Sequence, residues 1–124
     1  MLEDKAVLII DDDSTLLSMY GEQLKFNGMI VEYAHDGEEA LVMANQNTPN
    51  VIVLDIMMPK MNGFDVLAFL KSDDVTKDIP VIVLSALSDS EKMKTALDLG
   101  AAKYLVKADI LPIDLINTIS ELLA

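Results

Sequence analysis

The sequence predicts an α/β domain in which a five-stranded parallel sheet is covered by helices on both faces. Three observations predict it. Apolar runs rich in Val, Ile and Leu recur along the 124 residues, at about 5–11, 29–34, 51–55, 80–85 and 103–107. A longer stretch of helical character follows each one, at about 14–27, 37–47, 63–72, 89–99 and 112–123. The joins between them carry turn or capping residues. Runs this apolar suit strands buried on both faces, as in a parallel sheet. Strands separated by helices require right-handed crossovers, so five such units make a doubly wound (βα)5 sheet.

The elements follow in order. The first strand ends at Asp11-Asp12-Asp13, and Asp13-Ser14 opens the first helix, which Gly28 stops. In that helix the core stripe is expected to be Leu16, Met19 and Leu24 with Tyr20, which turns Leu17 outward. Asp36-Gly37 opens the second helix after the second strand. The third strand, Val51–Leu54, closes on Asp55, and Asn62-Gly63 opens the third helix. The fourth strand closes on Ser85, Ser88-Asp89 opens the fourth helix, and Gly100 stops it. The fifth run, Tyr104–Val106, closes on Lys107, and Pro112 is expected at the first position of the last helix. No internal repeat, low-complexity stretch or linker interrupts the pattern, so one domain is expected over 1–124.

Composition narrows the function classes. The net charge is −12 and all nine basic residues are lysines, so the surface repels phosphate backbones and nucleic-acid binding is not expected. There is no cysteine, which excludes disulfides and thiolate chemistry. The N-terminus lacks the basic and apolar regions of a signal peptide, and no apolar run approaches the ~20 residues of a membrane span. A cytoplasmic protein without membrane contact is expected. Most of the acidic residues read as solvated helix faces.

Asp11, Asp12 and Asp55 stand apart from that background. In an open parallel sheet the carboxyl ends of the strands share one edge, where ligands bind. Three carboxylates, the Ser85 hydroxyl and the Lys107 ammonium are therefore expected to converge there. Crowded carboxylates repel unless a cation sits among them, and an all-oxygen site suits Mg²⁺. A hydroxyl and an ammonium beside them suit an anion, with a phosphoryl group the natural candidate. Only two of Asp11, Asp12 and Asp13 can readily face one ion, so Asp13 is expected to serve the helix start.

These motifs together resemble the signature of the bacterial response-regulator receiver domain. They are the Asp11-Asp12 pair, Asp55 with Met58-Pro59 and Asn62-Gly63, Asp36-Gly37 followed by Glu38-Glu39-Ala40-Leu41, Ser85-Ala86, and Lys107. The resemblance covers essentially the whole chain. It implies a flavodoxin-like fold with strand order 2-1-3-4-5. It implies Asp55 as the phosphoryl acceptor, served by a sensor histidine kinase or phosphotransfer protein. It also implies Mg²⁺ held by Asp11, Asp12, Asp55 and the backbone carbonyl of Met57. Ser85 and Lys107 would contact the phosphoryl group, and Tyr104 would follow Ser85 to alter the surface of helix 4, strand 5 and helix 5. The expected role is a signalling switch that assists its own phosphorylation and dephosphorylation and turns over no separate substrate. Its output partner is not named by the sequence.

The chain departs from the family pattern in two places. Ala108 follows Lys107 where proline is common, and a cis bond before a non-proline residue costs about 3 kcal/mol, so a trans bond is expected. No Lys or Arg lies from Asp109 to Ala124, which argues against the dimer mode that uses basic residues there. A monomer or a weak phosphorylation-dependent dimer is expected. Leu17, Ile110 and Leu111 are expected to form part of a docking patch for the kinase or phosphotransfer protein. Bulky Met57 and Leu87 beside the site imply slow self-dephosphorylation. His35, near a turn, reads as a surface residue.

Two other readings compete. Asp11–Leu16 also resembles the first motif of haloacid-dehalogenase-like phosphatases, with Asp11 as nucleophile and Asp13 as acid/base. That reading leaves Asp55 and Met58-Pro59 without a role, and the chain lacks a later acidic pair. The other is a pseudo-receiver that binds partners without taking phosphate, and the full set of site residues argues against it.

Overall fold

Three strands have no polar residue until their last position, and they become the centre of the sheet. A computed structural model describes residues 2–124. The strands are β1 (Ala6–Ile10), β2 (Ile30–Ala34), β3 (Val51–Leu54), β4 (Val81–Ser85) and β5 (Lys103–Val106). The helices are α1 (Ser14–Phe26), α2 (Gly37–Asn47), α3 (Gly63–Ser72), α4 (Ser90–Asp98) and α5 (Pro112–Leu122). All neighbouring strands are parallel, in the order β2-β1-β3-β4-β5. Both the parallel (βα)5 reading and the order implied by the resemblance therefore hold, with element ends within two residues of those expected.

Side-chain alternation divides the core between the two faces. Leu8, Ile10, Ile52, Leu54, Val81 and Val83 pack under α2, α3 and α4. Val7, Ile9, Val51, Val53, Ile82 and Leu84 pack under α1 and α5. The edges are less apolar: β2 exposes Ile30 and carries Glu32, and β5 begins with exposed Lys103. Charge on an edge strand discourages pairing with another sheet.

Local chemistry sets the helix starts. Asp13, Asp36, Asn62 and Asp89 each accept backbone N–H bonds from the first turn of α1, α2, α3 and α4. Pro112 opens α5, where Asp114 accepts from the Leu111 N–H at 2.7 Å. Gly28 and Gly100 follow α1 and α4 with φ of 89° and 108°, backbone that side-chain-bearing residues rarely adopt.

The expected phase of α1 needs correction. Leu17 is buried at 2% exposure, whereas Met19 is 44% exposed and Leu16 only half-buried. The buried stripe is Leu17, Tyr20, Gly21 and Leu24, with the i, i+3, i+4, i+7 spacing of one helix face. Apolar residues at 16, 17, 19 and 20 permit two phases, and packing against β2 selects between them. The Tyr33 hydroxyl lies where a Cβ at position 21 would be, so glycine there lets α1 pack on β2 without displacing that ring. Leu17 is a core residue and cannot belong to a docking patch. Leu17→Ala is expected to lower unfolding free energy by about 2–4 kcal/mol, measured by urea denaturation.

Candidate functional site

The strand ends deliver the site. The Asp55 N–H donates to the Ile10 carbonyl at 2.9 Å, and the Asp11 N–H donates to the Ala34 carbonyl at 3.1 Å. These bonds extend the parallel ladders one residue past the strands and fix both aspartates at the carboxyl edge. By alternation, Asp11, Asp55 and Lys107 follow the residues that face α1 and α5. Ser85 and Tyr104 follow those that face α2, α3 and α4.

Asp11 and Asp55 are buried and Asp12 is exposed, yet one carboxylate oxygen from each lies within 4.8 Å of the others. Lys107 reaches the cluster from 96 residues beyond Asp11. Its Nζ donates to Asp11 Oδ2 at 2.8 Å and lies 3.7 Å from Asp55 Oδ2. Lys107 begins a short 3-10 turn, Lys107–Asp109, in place of the last strand residue. No cis peptide bond occurs among the described residues, so the Lys107–Ala108 link is trans, as expected. Asp13 points away from the cluster and caps α1 through the N–H groups of Thr15 and Leu16.

Burial pushes the Asp55 carboxyl up to about 6, and the Asp11 charge adds to the effect. Lys107 and the backbone N–H groups of Met57 and Ile56 pull it back only in part. Burial by itself would lower the Lys107 ammonium. The hydrogen bond to Asp11 and the charges of Asp55, Asp11 and Tyr20 outweigh burial and hold it above its ordinary value. Tyr20, beneath the pocket on α1, is raised by burial and feels the charges of Lys107 and Asp11.

Gly63 fixes the loop after Asp55. Its N–H donates to the Ile56 carbonyl at 2.8 Å, and a Cβ there would meet the Asp55 carbonyl oxygen and lie 2.6 Å from Ile56 Cα. Only glycine lets α3 start this close to the backbone that carries Asp55.

The Ser85 hydroxyl is fully buried and accepts from the Leu87 N–H at 3.1 Å. The Tyr104 hydroxyl donates to the Leu87 carbonyl at 2.9 Å. The β4–α4 loop is thus gripped at Leu87 from both sides. Met57 has a 58% exposed side chain at the rim. Leu111 is 65% exposed, and Ile110 is half-buried against the α1–α5 side of the core. His35 is exposed enough for its ring to meet Glu39 at 3.4 Å.

Two elements escaped the sequence reading. Tyr20 was expected only as core, and its coupling to Lys107 depends on the phase of α1. Lys92 and Phe64 line a groove of about 560 Å³ that also includes Asp12, Met57 and Leu87, and no spacing rule joins α3 to α4.

The response regulator receiver domain model matches residues 7–119. The chain belongs to the response regulator receiver domain family. Receiver domains serve the phosphorylation-dependent signalling of two-component systems, and this membership sets aside the phosphatase resemblance of Asp11–Leu16. A probable transcriptional regulator ycf27 from Guillardia theta is 43% identical over 101 residues, covering 82% of this chain and 39% of that protein. The response regulator MprA of Mycobacterium ulcerans is 41% identical over 101 residues, covering 82% of this chain and 43% of that protein. The receiver chain thus spans less than half the length of these curated relatives. Among solved structures, the Francisella response regulator 1452 receiver domain superimposes with a TM-score of 0.89 at 34% identity, covering 97% of each chain. The Vibrio cholerae chemotaxis protein CheY4 gives 0.89 at 31% identity, covering 96% of this receiver and 98% of that chain. No helix among the described residues is long and apolar enough to cross a membrane.

Proposed function

We propose that residues 1–124 form one receiver domain that accepts a phosphoryl group on Asp55 from a histidine kinase or phosphotransfer protein. One observation carries this reading. Asp55 is buried at the sheet edge with Asp11 and Asp12 within 4.8 Å and the Lys107 ammonium at 3.7 Å. A nucleophilic carboxylate beside a cation-binding acidic pair and a fixed ammonium is the equipment of aspartyl phosphorylation.

The donor set fits Mg²⁺. Three carboxylates offer hard oxygen ligands, and exposed Asp12 leaves an open side on which the ion would keep its waters. Asp11, Asp12, Asp55 and the Met57 carbonyl would hold it. Bound there, Mg²⁺ supplies neutralisation of the phosphoryl oxygens. An Asp55 oxygen forms the new bond to phosphorus as the bond to the donor's imidazole nitrogen breaks and its electron pair leaves on that nitrogen. Lys107, already shared between Asp11 and Asp55, turns its ammonium to the phosphoryl group.

Ser85 and Tyr104 are the proposed relay. Turning the Ser85 hydroxyl to a phosphoryl oxygen releases the Leu87 N–H, and Tyr104 holds the carbonyl of the same residue. The β4–α4 loop then resettles, and the α4–β5–α5 surface changes with it. That surface would meet the output partner, with the domain monomeric or weakly dimeric once phosphorylated. The bulk of Met57 and Leu87 would slow water attack on the acyl phosphate. Replacing both with polar residues is expected to shorten its lifetime, as read by loss of label over time.

Ile110 and Leu111 remain as the docking residues. Leu111→Asp is expected to slow transfer from a phosphohistidine protein that labels wild type by about tenfold, from lost apolar contact and an added charge. Labelling by a small phosphodonor should persist, and equal loss of both would overturn the docking role.

The function itself is tested by intact-protein mass spectrometry after incubation with Mg²⁺ and a small phosphodonor. Wild type should gain one phosphoryl group and Asp55→Asn none. Label that persists in Asp55→Asn but disappears in Asp11→Asn would move the nucleophile to Asp11. No label on wild type would favour a partner-binding module.

A further inference from the structure

The chemistry above makes no use of sulfur. The chain has eight methionines, no cysteine and no tryptophan, so the thioether is its most readily oxidised side chain. Burial separates the methionines. Met29 and Met58 are 4% and 9% exposed, whereas Met57 is 58% exposed, more than any other methionine among the described residues. Met57 is also tied to the acceptor, because its N–H donates to Asp55 Oδ1 at 3.4 Å. It lines an open cavity of about 560 Å³ with Leu87 and with Asp12, whose carboxylate belongs to the cluster around Asp55. A thioether there offers water only a weak acceptor, and a sulfoxide offers a strong one.

We propose that Met57 is a site of reversible oxidation by hydrogen peroxide, and that its sulfoxide shortens the lifetime of the phosphoryl group on Asp55. The inference rests on Asp55 being the phosphoryl acceptor, and it adds a redox control to that site. A lone pair of Met57 Sδ attacks one oxygen of the peroxide. The O–O bond breaks and an S–O bond forms. The displaced hydroxide takes the proton left on the transferred oxygen and departs as water. Sulfur loses two electrons and the peroxide gains them. A methionine sulfoxide reductase returns the thioether. As a thioether, Met57 presents an apolar wall to water approaching the acyl phosphate. As a sulfoxide, it accepts a hydrogen bond from that water and keeps it at the rim, where hydrolysis needs it. Met58, the next residue, packs in the core and is shielded from the oxidant.

The test compares wild type, Met57→Leu and Met19→Leu. Each is exposed to hydrogen peroxide, cleared of it with catalase, and labelled by a small phosphodonor with Mg²⁺. Peptide mass spectrometry locates the added oxygen, and intact mass follows loss of the phosphoryl group after the donor is removed. Met57 should gain oxygen well before Met29 and Met58. Oxidised wild type should lose its label about threefold to tenfold faster than untreated wild type, the effect of one net hydrogen bond. Reduction by methionine sulfoxide reductases should restore the original lifetime. Met57→Leu keeps an apolar side chain without the sulfur, so peroxide should leave its own lifetime unchanged. Met19→Leu, which removes the exposed sulfur on α1, should respond to peroxide as wild type does. Oxidation of Met57 no faster than that of Met29 and Met58, or a lifetime that peroxide does not shorten, or equal shortening in Met57→Leu, overturns the inference and leaves phosphorylation of Asp55 standing. Untreated wild type that takes no label overturns both.

Discussion

Asp55→Asn is expected to stabilise the metal-free protein while it abolishes the acyl phosphate. The native site holds the Asp55 carboxyl at about 6, chiefly through burial and then through the Asp11 charge. In an unfolded chain the same group titrates near 3.8. Between these values the folded protein keeps a proton that the unfolded one has lost. Stability therefore falls as pH rises through the window from about 4 to 6, and the whole penalty is present above it. The shift corresponds to roughly 1–3 kcal/mol once water's access to the pocket is allowed for. Asparagine carries no charge and escapes the penalty. In chelator at pH 7.5, urea denaturation should show Asp55→Asn more stable than wild type by about that amount, with the difference closing toward pH 4. Equal stability of the two proteins at both pH values would contradict this account of the site. Mg²⁺ should stabilise wild type at pH 7.5 more than at pH 5, because protons compete for Asp55, and should stabilise Asp55→Asn less.

Gly63→Ala is expected to damage fold and function together. The added methyl group meets the backbone of Asp55 and Ile56, not a side chain that can rotate away. Overpacking against fixed backbone costs about 3 kcal/mol, enough to threaten a domain of marginal stability. Relief requires α3 to retreat or Asp55 to shift, and either change spoils the distance from Asp55 to Lys107. A urea midpoint well below wild type, with slower labelling by phosphodonor even at low temperature, is the expected pair of results. Gly21→Ala is the control. There the obstacle is the tip of the half-buried Tyr33 ring, which can swing outward, so about 1 kcal/mol is expected. Equal losses in the two variants would show that the close approach of α3 to Asp55 has no special cost.

Both predictions depend on how the acidic residues divide their duties. Asp13 stands next to Asp12, yet its carboxylate is spent on two N–H groups of α1. Asp11 is shared: one oxygen accepts from the Asp13 N–H at 2.9 Å and the other from Lys107. Lys107 therefore stands in part for a metal ion, screening Asp11 and Asp55 from one another. It does not fully neutralise them, which is why Asp55 stays raised.

By itself the sequence determined the alternation of strands and helices, the caps, and the presence of Asp11, Asp12, Asp55, Ser85 and Lys107 at strand ends. These are local properties. A run of β-branched residues, an aspartate before a helix, or a glycine after one acts within a few residues, and its physical chemistry is legible without the rest of the chain. Tertiary structure decided what depends on distant elements. It chose Leu17 over Met19 for the core, on the helix face whose Gly21 leaves room for the Tyr33 ring of β2. It brought Lys107 to 2.8 Å from Asp11 and set the charge balance that raises Asp55. It also joined Lys92 to Asp12 along one groove. Such facts follow from strand order, helix phase and burial, which arise only when faces far apart in the chain are packed together.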